Sequence, residues 1–499
     1  MSQTLAPPPG RRRRETAVVL VLSLAAMVVS MMQTLVIPIL GLIGSSLGSS
    51  AAEVSWVTTA TLLSAAVFTP LLGRFGDQHG KKPTLIGVLV VMIAGSVLAA
   101  TTDSLLWLIV ARVLQGAATA IFPLALSVLR EEVPAHRLPG AMSLVSGTLA
   151  FGSGFALVTT GLLTRGDNAD YHPVFWLAAG LALVTLLAVV LLVPASRTRT
   201  GGGTDLLGAL TLALFLVLLL LPISQGHEWR WTSARTLGSF AGAVVMAGVW
   251  AFTESRVREP MVDMRMFLHR PVLLSNLAGL FVGFGMFAQF LGVSYLAQVP
   301  QDVAGYGFGA SVLRASVEYL LPSTIASLVA AQFGGLLIRR IGPRLTLALS
   351  AVTGIAGFAW LAAAHSSTPS VIGAGMAVGT AISLGYAAMP ALIVAGVPPH
   401  QTGVANGINS ISRSVGSSIG SALITTLLAS RTIEHLPAGV PPLPAESQFT
   451  LSFTIAGVAF AFVLAIALVG LKRQRQAPRA KHLPAPDTAP EPAAATAAA

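Results

Sequence analysis

Only 10% of the 499 residues carry a formal charge, so chemistry is first to be sought where those charges gather. The stretch "GRFGDQHGKKPTL", Gly73 to Leu85, sets Arg74, Asp77, Lys81 and Lys82 into one short polar break between two long apolar runs. Gly73 and Gly80 permit close helix approach and a tight turn there. Asp77, just past the first run, can attract Lys81 and the positive N-terminal pole of a helix that begins on the same side, as the one from Gly403 does. The plainer reading is a basic loop that only fixes topology. Nucleotide binding is excluded for "GDQHGKKP": the spacing is not that of a P-loop, and Lys82 stands where Ser or Thr should hold magnesium.

Two further charges, Arg112 and Arg413, lie inside apolar runs, where burial is costly enough to make a functional role the first expectation. At 1.5 Å per residue they stand about 10 Å and about 15 Å from the nearer ends of their helices, deep enough to reach a central cavity. The competing reading is that each binds neighbouring carbonyls and fixes packing. Acids are scarcer still. No carboxylate lies near the middle of a run, and Glu318, near the end of one, is the best titratable candidate for proton coupling, with a solvated gate residue as its alternative. All nine histidines are read as loop or tail residues, so no imidazole relay is expected. Gln33, Gln115, Asn276, Gln289, Asn406 and Asn409, with Tyr386 and Met389, are the polar or soft side chains on otherwise apolar segments. They suit a cavity for bulky, largely hydrophobic molecules, and equally suit interhelical hydrogen bonding. With no cysteine, disulfides, thiolate metal sites and cysteine nucleophiles are excluded. No metal, cofactor or catalytic constellation is expected, and the chain is not read as an enzyme.

These residues need a membrane to hold them. Hydrophobic residues make up 54% of the chain and the mean hydropathy is +0.78, far more apolar surface than a water-soluble domain can cover. A spanning helix takes roughly 20 mostly apolar residues, because its backbone polar groups must be satisfied internally. Runs of that kind occur near 17 to 40, 54 to 72, 84 to 102, 105 to 129, 140 to 163 and 174 to 194. They continue near 206 to 224, 237 to 253, 272 to 296, 317 to 338, 345 to 364, 370 to 396, 403 to 429 and 449 to 471. The fold class is therefore an all-α polytopic membrane protein with fourteen transmembrane helices.

Alternate loops test that count. Arg11 to Arg14, Arg74, Lys81 and Lys82, Arg130 and Arg137, Arg197 and Arg199, Arg256 to Arg270, Arg339 to Arg344 and the run from Lys472 all fall on the side of the N-terminus. Opposite loops keep only Arg165, Arg230, Arg235, Arg314 and Arg431. Both termini are thus expected in the cytoplasm, and the net charge of +11 calls for no nucleic-acid partner. The organisation follows: a basic tail at 1–15, retained because no cleavable signal precedes the first run, a six-helix bundle at 16–196, two inserted helices with their loops at 197–258, a second six-helix bundle at 259–471, and a Pro- and Ala-rich disordered tail at 472–499.

The chain also repeats itself. "GRFGDQHGKKPTL" is echoed by "GLLIRRIGPRLTL", Gly335 to Leu347, and "VPAHRLPGA" from Val133 by "VPPHQTGVA" from Val397, in the same order and at similar places in each half. Parallel six-helix repeats are the architecture in which a site near the midplane and alternating access are expected. "GRFGDQHGKKP" resembles the signature loop after the second helix of major facilitator superfamily transporters, and "LIVARVLQGAATA" their fourth-helix signature. "REPMVDMRMF" and "AAMPALIVAGVPPHQTGVANGINSISRSVG" look like the fourteen-helix drug:proton antiporter branch. The resemblance covers roughly residues 16 to 471.

It implies the major facilitator fold, a gating loop of Gly73, Asp77, Gly80, Lys81 and Lys82 in which Asp77 latches the halves, and a link of Arg112 to proton coupling. The implied activity is proton-coupled efflux of drug-like or secondary-metabolite molecules from the inner membrane of a bacterium. Its partners are then a small-molecule substrate, protons and the bilayer, with the protein a monomer. Two departures stand against proton coupling. "MVVSMMQTLVIP" offers Ser30, Gln33 and Thr34 where many relatives carry a first-helix Asp, and "GSGFALVTTGLL" has Ala156-Leu157 where a Gly-Pro pair is usual. They leave open an uptake system or uncoupled facilitator. A non-transporting receptor or scaffold is the alternative from another class, disfavoured by the intact signature loop.

Overall fold

The computed structural model describes residues 9–134, 137–166, 169–195, 206–257, 268–394, 402–433 and 442–470. Among them the regular elements are all helical, apart from an isolated bridge between Thr432 and Pro444. The long helices are α1 (Pro9–Thr34), α2 (Trp56–His79), α3 (Lys81–Thr101), α4 (Leu105–Gly116), α5 (Ile121–Glu132), α6 (Leu138–Leu163) and α7 (His172–Leu192). After them come α8 (Leu206–Trp229), α9 (Ala234–Arg256), α10 (Arg270–Gln298), α11 (Leu321–Ile341), α12 (Pro343–Ala363), α13 (Thr368–Val394), α14 (Thr402–Ser430) and α15 (Glu446–Ala465). Eleven spans in the described residues are long and apolar enough to cross a membrane. Three of the expected runs are not among those eleven: α6, α8 and α14 are helical over 26, 24 and 29 residues, and the shorter apolar stretches found there are Phe151–Leu163 and Leu207–Ile223.

Local chemistry sets the breaks. Gly80 and Gly342 end α2 and α11 at φ 111° and 84°, in the region where a side chain is strained. In both copies the next helix opens with the same bond: the Thr84 hydroxyl donates to the Gly80 carbonyl at 2.8 Å, and that of Thr346 to Gly342 at 2.9 Å. Lys82 and Arg344, two residues past each glycine, reach the carbonyl end of another helix. Lys82 donates to Val190 O at 2.8 Å, and Arg344 Nε to Ala467 O at 2.7 Å. A cation at a helix C-terminus is favourable in both places. The sequence echo is therefore an echo of contacts. Of the second one, residues 135, 136 and 397–401 lie outside the described residues.

The run expected at 105 to 129 is divided. A 3₁₀ turn, Ala117–Ala120, separates α4 from α5 where Gly116 crosses α2 so closely that a Cβ would stand 2.5 Å from Thr61 O. Three histidines read as loop residues are helical, although at or near helix ends: His79 closes α2, His172 opens α7 and His227 is in the last turn of α8. At the end opposite Gly80, His172 Nδ1 lies 2.6 Å from Asp170, and its Nε2 lies 3.5 Å from Asp103 and 3.2 Å from Thr102 O, tying α7 to α3. Partial burial works against the Asp170 carboxylate, but the His172 backbone N–H and ring outweigh it and hold it below the usual carboxylate range. Burial first, then the charges of Asp103 and Asp170, push the Tyr171 phenol up to about 12.

Close helix pairs form the core on both sides. In the first set, Gly152 of α6 lies against Met27 of α1, and in the second, Gly416 of α14 lies against Leu280 of α10. The two sets meet at the end opposite Gly80. There Gln298 Nε2 donates to Pro38 O at 3.1 Å, Thr58 and Ser421 hydroxyls bond at 2.5 Å, and Gly161 packs on Leu313. α8 docks along this seam, with Leu212 and Leu216 in one cluster with Val67, Val272, Ile393 and Ile408, and its Ile223 carbonyl accepting from Thr426 at 3.2 Å. α9 packs outside it, Gly242 against Leu218.

Candidate functional site

Arg112 is the largest fully buried side chain among the described residues, at 1% exposure. It stands on α4, whose apolar faces carry it into the first helical set, and its donors reach two neighbouring helices and Gln115 on its own. Nε donates to Val57 O on α2 at 2.9 Å, one terminal nitrogen to Gln115 Oε1 at 2.5 Å, and the other to Met32 O on α1 at 3.2 Å. Gln115 passes the connection on, donating from Nε2 to Ser96 Oγ on α3 at 3.1 Å. A planar guanidinium suits this task because its five donors hold a fixed fork. Its acceptors here are uncharged, so the positive charge sits inside the helical set among dipoles and faces no carboxylate in these contacts.

Arg413 is arranged differently. It is half-buried on α14, its guanidinium carbon 4.6 Å from the centre of the Tyr386 ring on α13, a cation–π geometry. One terminal nitrogen lies 3.4 Å from Ser410 Oγ. Tyr386 in turn donates to Met286 Sδ on α10 at 3.5 Å. Below it, Asn409 Nδ2 donates to Ser275 O at 3.0 Å and to Asn276 Oδ1 at 3.3 Å. Asn276 Nδ2, Asn409 Oδ1 and Ser275 Oγ are buried with no hydrogen-bond partner. Gln289, deeper on α10, donates to Gly375 O at 3.1 Å. Gln33 is half-buried on α1, one residue from the Met32 carbonyl that Arg112 holds. The polar candidates thus fall into two groups, Arg112 with Gln115 and Gln33 in the first set, and Arg413, Tyr386, Asn409, Asn276 and Gln289 in the second.

Glu318 stands apart from both. It lies in a π-helical turn, Ala315–Leu320, and accepts from Arg314 Nε at 2.6 Å with about a third of its side chain exposed. Such an exposed i,i+4 pair adds little stability.

The loop expected to gate departs from its reading at one residue. Gly73, taken for a site of close helix approach, has open space where a Cβ would sit; the tight position is Gly76, whose Cβ would stand 2.4 Å from Leu124 on α5. The helical period carries Gly76 inward and Gly73 outward. Lys81 forms an ion pair with Glu131 at the end of α5, a partner the sequence reading did not name, while its expected attraction to Asp77 falls outside the described residues. "REEVP" held the signal for that partner, a pair of acids closing a helix on the side of the basic loop. The Asp77 side chain, like those of residues 402–407, lies outside the described residues, while Gly80 makes the expected turn. The pairing of Arg413 with Tyr386, and the Ser96 and Met32 contacts around Arg112, were not legible in the sequence because partners on separate helices have no fixed spacing.

Similarity to known proteins points one way. A family profile described as "Major Facilitator Superfamily" matches residues 22–421 and 308–496. The tetracenomycin C resistance and export protein of Streptomyces glaucescens is 29% identical over 79% of this chain and 72% of its own length. The cephamycin export protein of Amycolatopsis lactamdurans is 27% identical over 85% of both chains, and a multidrug resistance protein B homolog of Mycobacterium tuberculosis 27% over 76% and 70%. Among solved structures, a mutant of the nucleoside transporter NupG superposes with a TM-score of 0.64 at 15% identity, over 91% of this chain and all of that one. The xylose transporter XylE from E. coli, in a partially occluded inward open conformation, gives 0.60 at 12% identity over 91% and 96%.

Proposed function

This chain belongs to the major facilitator superfamily of membrane transporters, and from that premise we propose that it exports bulky, largely hydrophobic molecules of the antibiotic or secondary-metabolite kind, by alternating access and against proton entry. The observation that carries this reading is the similarity, over more than three quarters of the chain, to proteins named for antibiotic export. A few polar groups set among Met, Tyr and aliphatic side chains agree with it, since such a surface accepts varied ligands without strict geometry.

In this reading the chain has fourteen spans, two six-helix bundles and the inserted pair α8 and α9, with the Gly80 end in the cytoplasm and the protein acting as a monomer. The end sealed by Thr58, Ser421, Gln298 and Pro38 then faces outward. Asp77 latches the halves in the opposite state, when the cytoplasmic end closes. Asp77→Asn is expected to lower transport while membrane insertion stays normal; unimpaired turnover in that variant refutes the latch. Comparing the susceptibility of cells with and without the gene tests the substrate class: expression should protect against bulky apolar antibiotics and leave susceptibility to small hydrophilic ones unchanged.

Coupling rests on less usual groups. Arg112 supplies a fixed buried charge and Glu318 a titratable one. A second reading, an uncoupled facilitator, is favoured by one observation: no acid occupies the middle of a span, and α1 carries Ser30, Gln33 and Thr34 there. Proteoliposomes with an imposed pH gradient separate the two, because antiport predicts substrate accumulation that collapses with the gradient. Accumulation indifferent to the gradient leaves the facilitator.

A further inference from the structure

We propose that the cleft between the starts of α1 and α3 and the end of α7 binds the headgroup of an anionic phospholipid. Its volume is about 570 Å³, and Arg13, Arg14, Lys82, Leu191, Leu192 and Pro194 line it. Three cations from two helices share the cleft with an apolar wall, and no carboxylate lines it among the described residues. The nearest acid in sequence, Glu15, is paired with Arg137 at 2.9 Å and does not line the cleft. Lys82 is held in place by its bond to Val190 O, which sets the ammonium over the partly negative end of α7 and keeps that end from repelling an anion.

Lipid is the better occupant than free phosphate because of what surrounds the charges. Leu191 is 78% exposed, and Leu20, one helical stretch along α1, is 58% exposed. An acyl chain covers such surface while its phosphate meets the arginines; an inorganic anion gains nothing from it. Basic pockets between helix ends at the cytoplasmic surface are where anionic headgroups collect, each Lys or Arg adding roughly 1 kcal/mol, about fivefold in affinity.

The test uses the full chain, purified in detergent and titrated with phosphatidylglycerol, phosphatidylcholine and soluble glycerol phosphate, with binding read by native mass spectrometry. Phosphatidylglycerol should bind tightest, and the double variant Arg13→Gln, Arg14→Gln should weaken it about 25-fold while eluting as the parent does. A variant with the same loss of charge at the opposite end, Arg165→Gln with Arg235→Gln, should bind as the parent. Equal loss in both double variants, no loss in the first, or glycerol phosphate binding as well as phosphatidylglycerol each overturns the proposal.

Discussion

Replacing Arg112 with glutamine is expected to cut gradient-driven transport at least tenfold, about 1.4 kcal/mol in the barrier, while the protein still inserts and folds. The stability cost is bounded by the bonds it removes. Guanidinium contacts to Val57 O and Met32 O join α4 to α2 and α1, and interhelical hydrogen bonds in membranes average only about 0.6 kcal/mol each, so roughly 1 kcal/mol is at stake. Part of that returns, because the variant no longer buries a charge. The transport effect follows from losing the charge itself, which a neutral glutamine does not replace.

Arg112→Lys separates charge from shape. An ammonium keeps the charge but is a point donor that cannot reach all three acceptors in the plane the guanidinium occupies. Lysine should therefore restore part of the gradient dependence yet keep most of the loss in thermal midpoint. Midpoint and transport falling in proportion across Gln and Lys would instead mark Arg112 as a packing residue. The pair of measurements, midpoint in detergent and uptake in proteoliposomes, decides it.

Gly416→Ala is expected to destabilise the second helical set by about 1 to 3 kcal/mol, the usual cost of overpacking a closed contact. A Cβ there would stand 1.9 Å from the Leu280 carbonyl oxygen, and a backbone atom of a long helix cannot turn aside as a side chain can. Gly152→Ala, whose Cβ would meet Met27 O at 2.4 Å, should act likewise in the first set. Gly180→Ala on α7 is the control: nothing lies within 4 Å of its Cβ, so the gain of up to about 1 kcal/mol in helix propensity stands alone. Thermal midpoints of the three variants check the ranking. If Gly416→Ala melts with the parent, the close approach of α10 and α14 is not a tight contact.

Glycine positions show what a linear sequence reveals and what it hides. Gly80 and Gly342 were legible as turns because a helix must end where an apolar run meets a charged break, and a positive φ there favours glycine. Gly73 and Gly76 are not distinguishable in that way. Both lie in one apolar helix end, and only the position of α5 decides that Gly76 has no room for a side chain while Gly73 does.

By itself the sequence determined the membrane, most of the helices, the echo between the halves and the family, since apolar length, charge alternation and short motifs are local properties that a bilayer imposes directly. Its motif residues, Arg112 above all, were also in view, because an ionised side chain in an apolar run stands out wherever it lies. Tertiary structure alone decided their partners. Met32 and Val57 accept from Arg112, Ser96 accepts from Gln115, Tyr386 stacks on Arg413, and Glu131 pairs with Lys81, because in a bundle the neighbours of a side chain on other helices are fixed by helix rotation and crossing, which no spacing along the chain encodes.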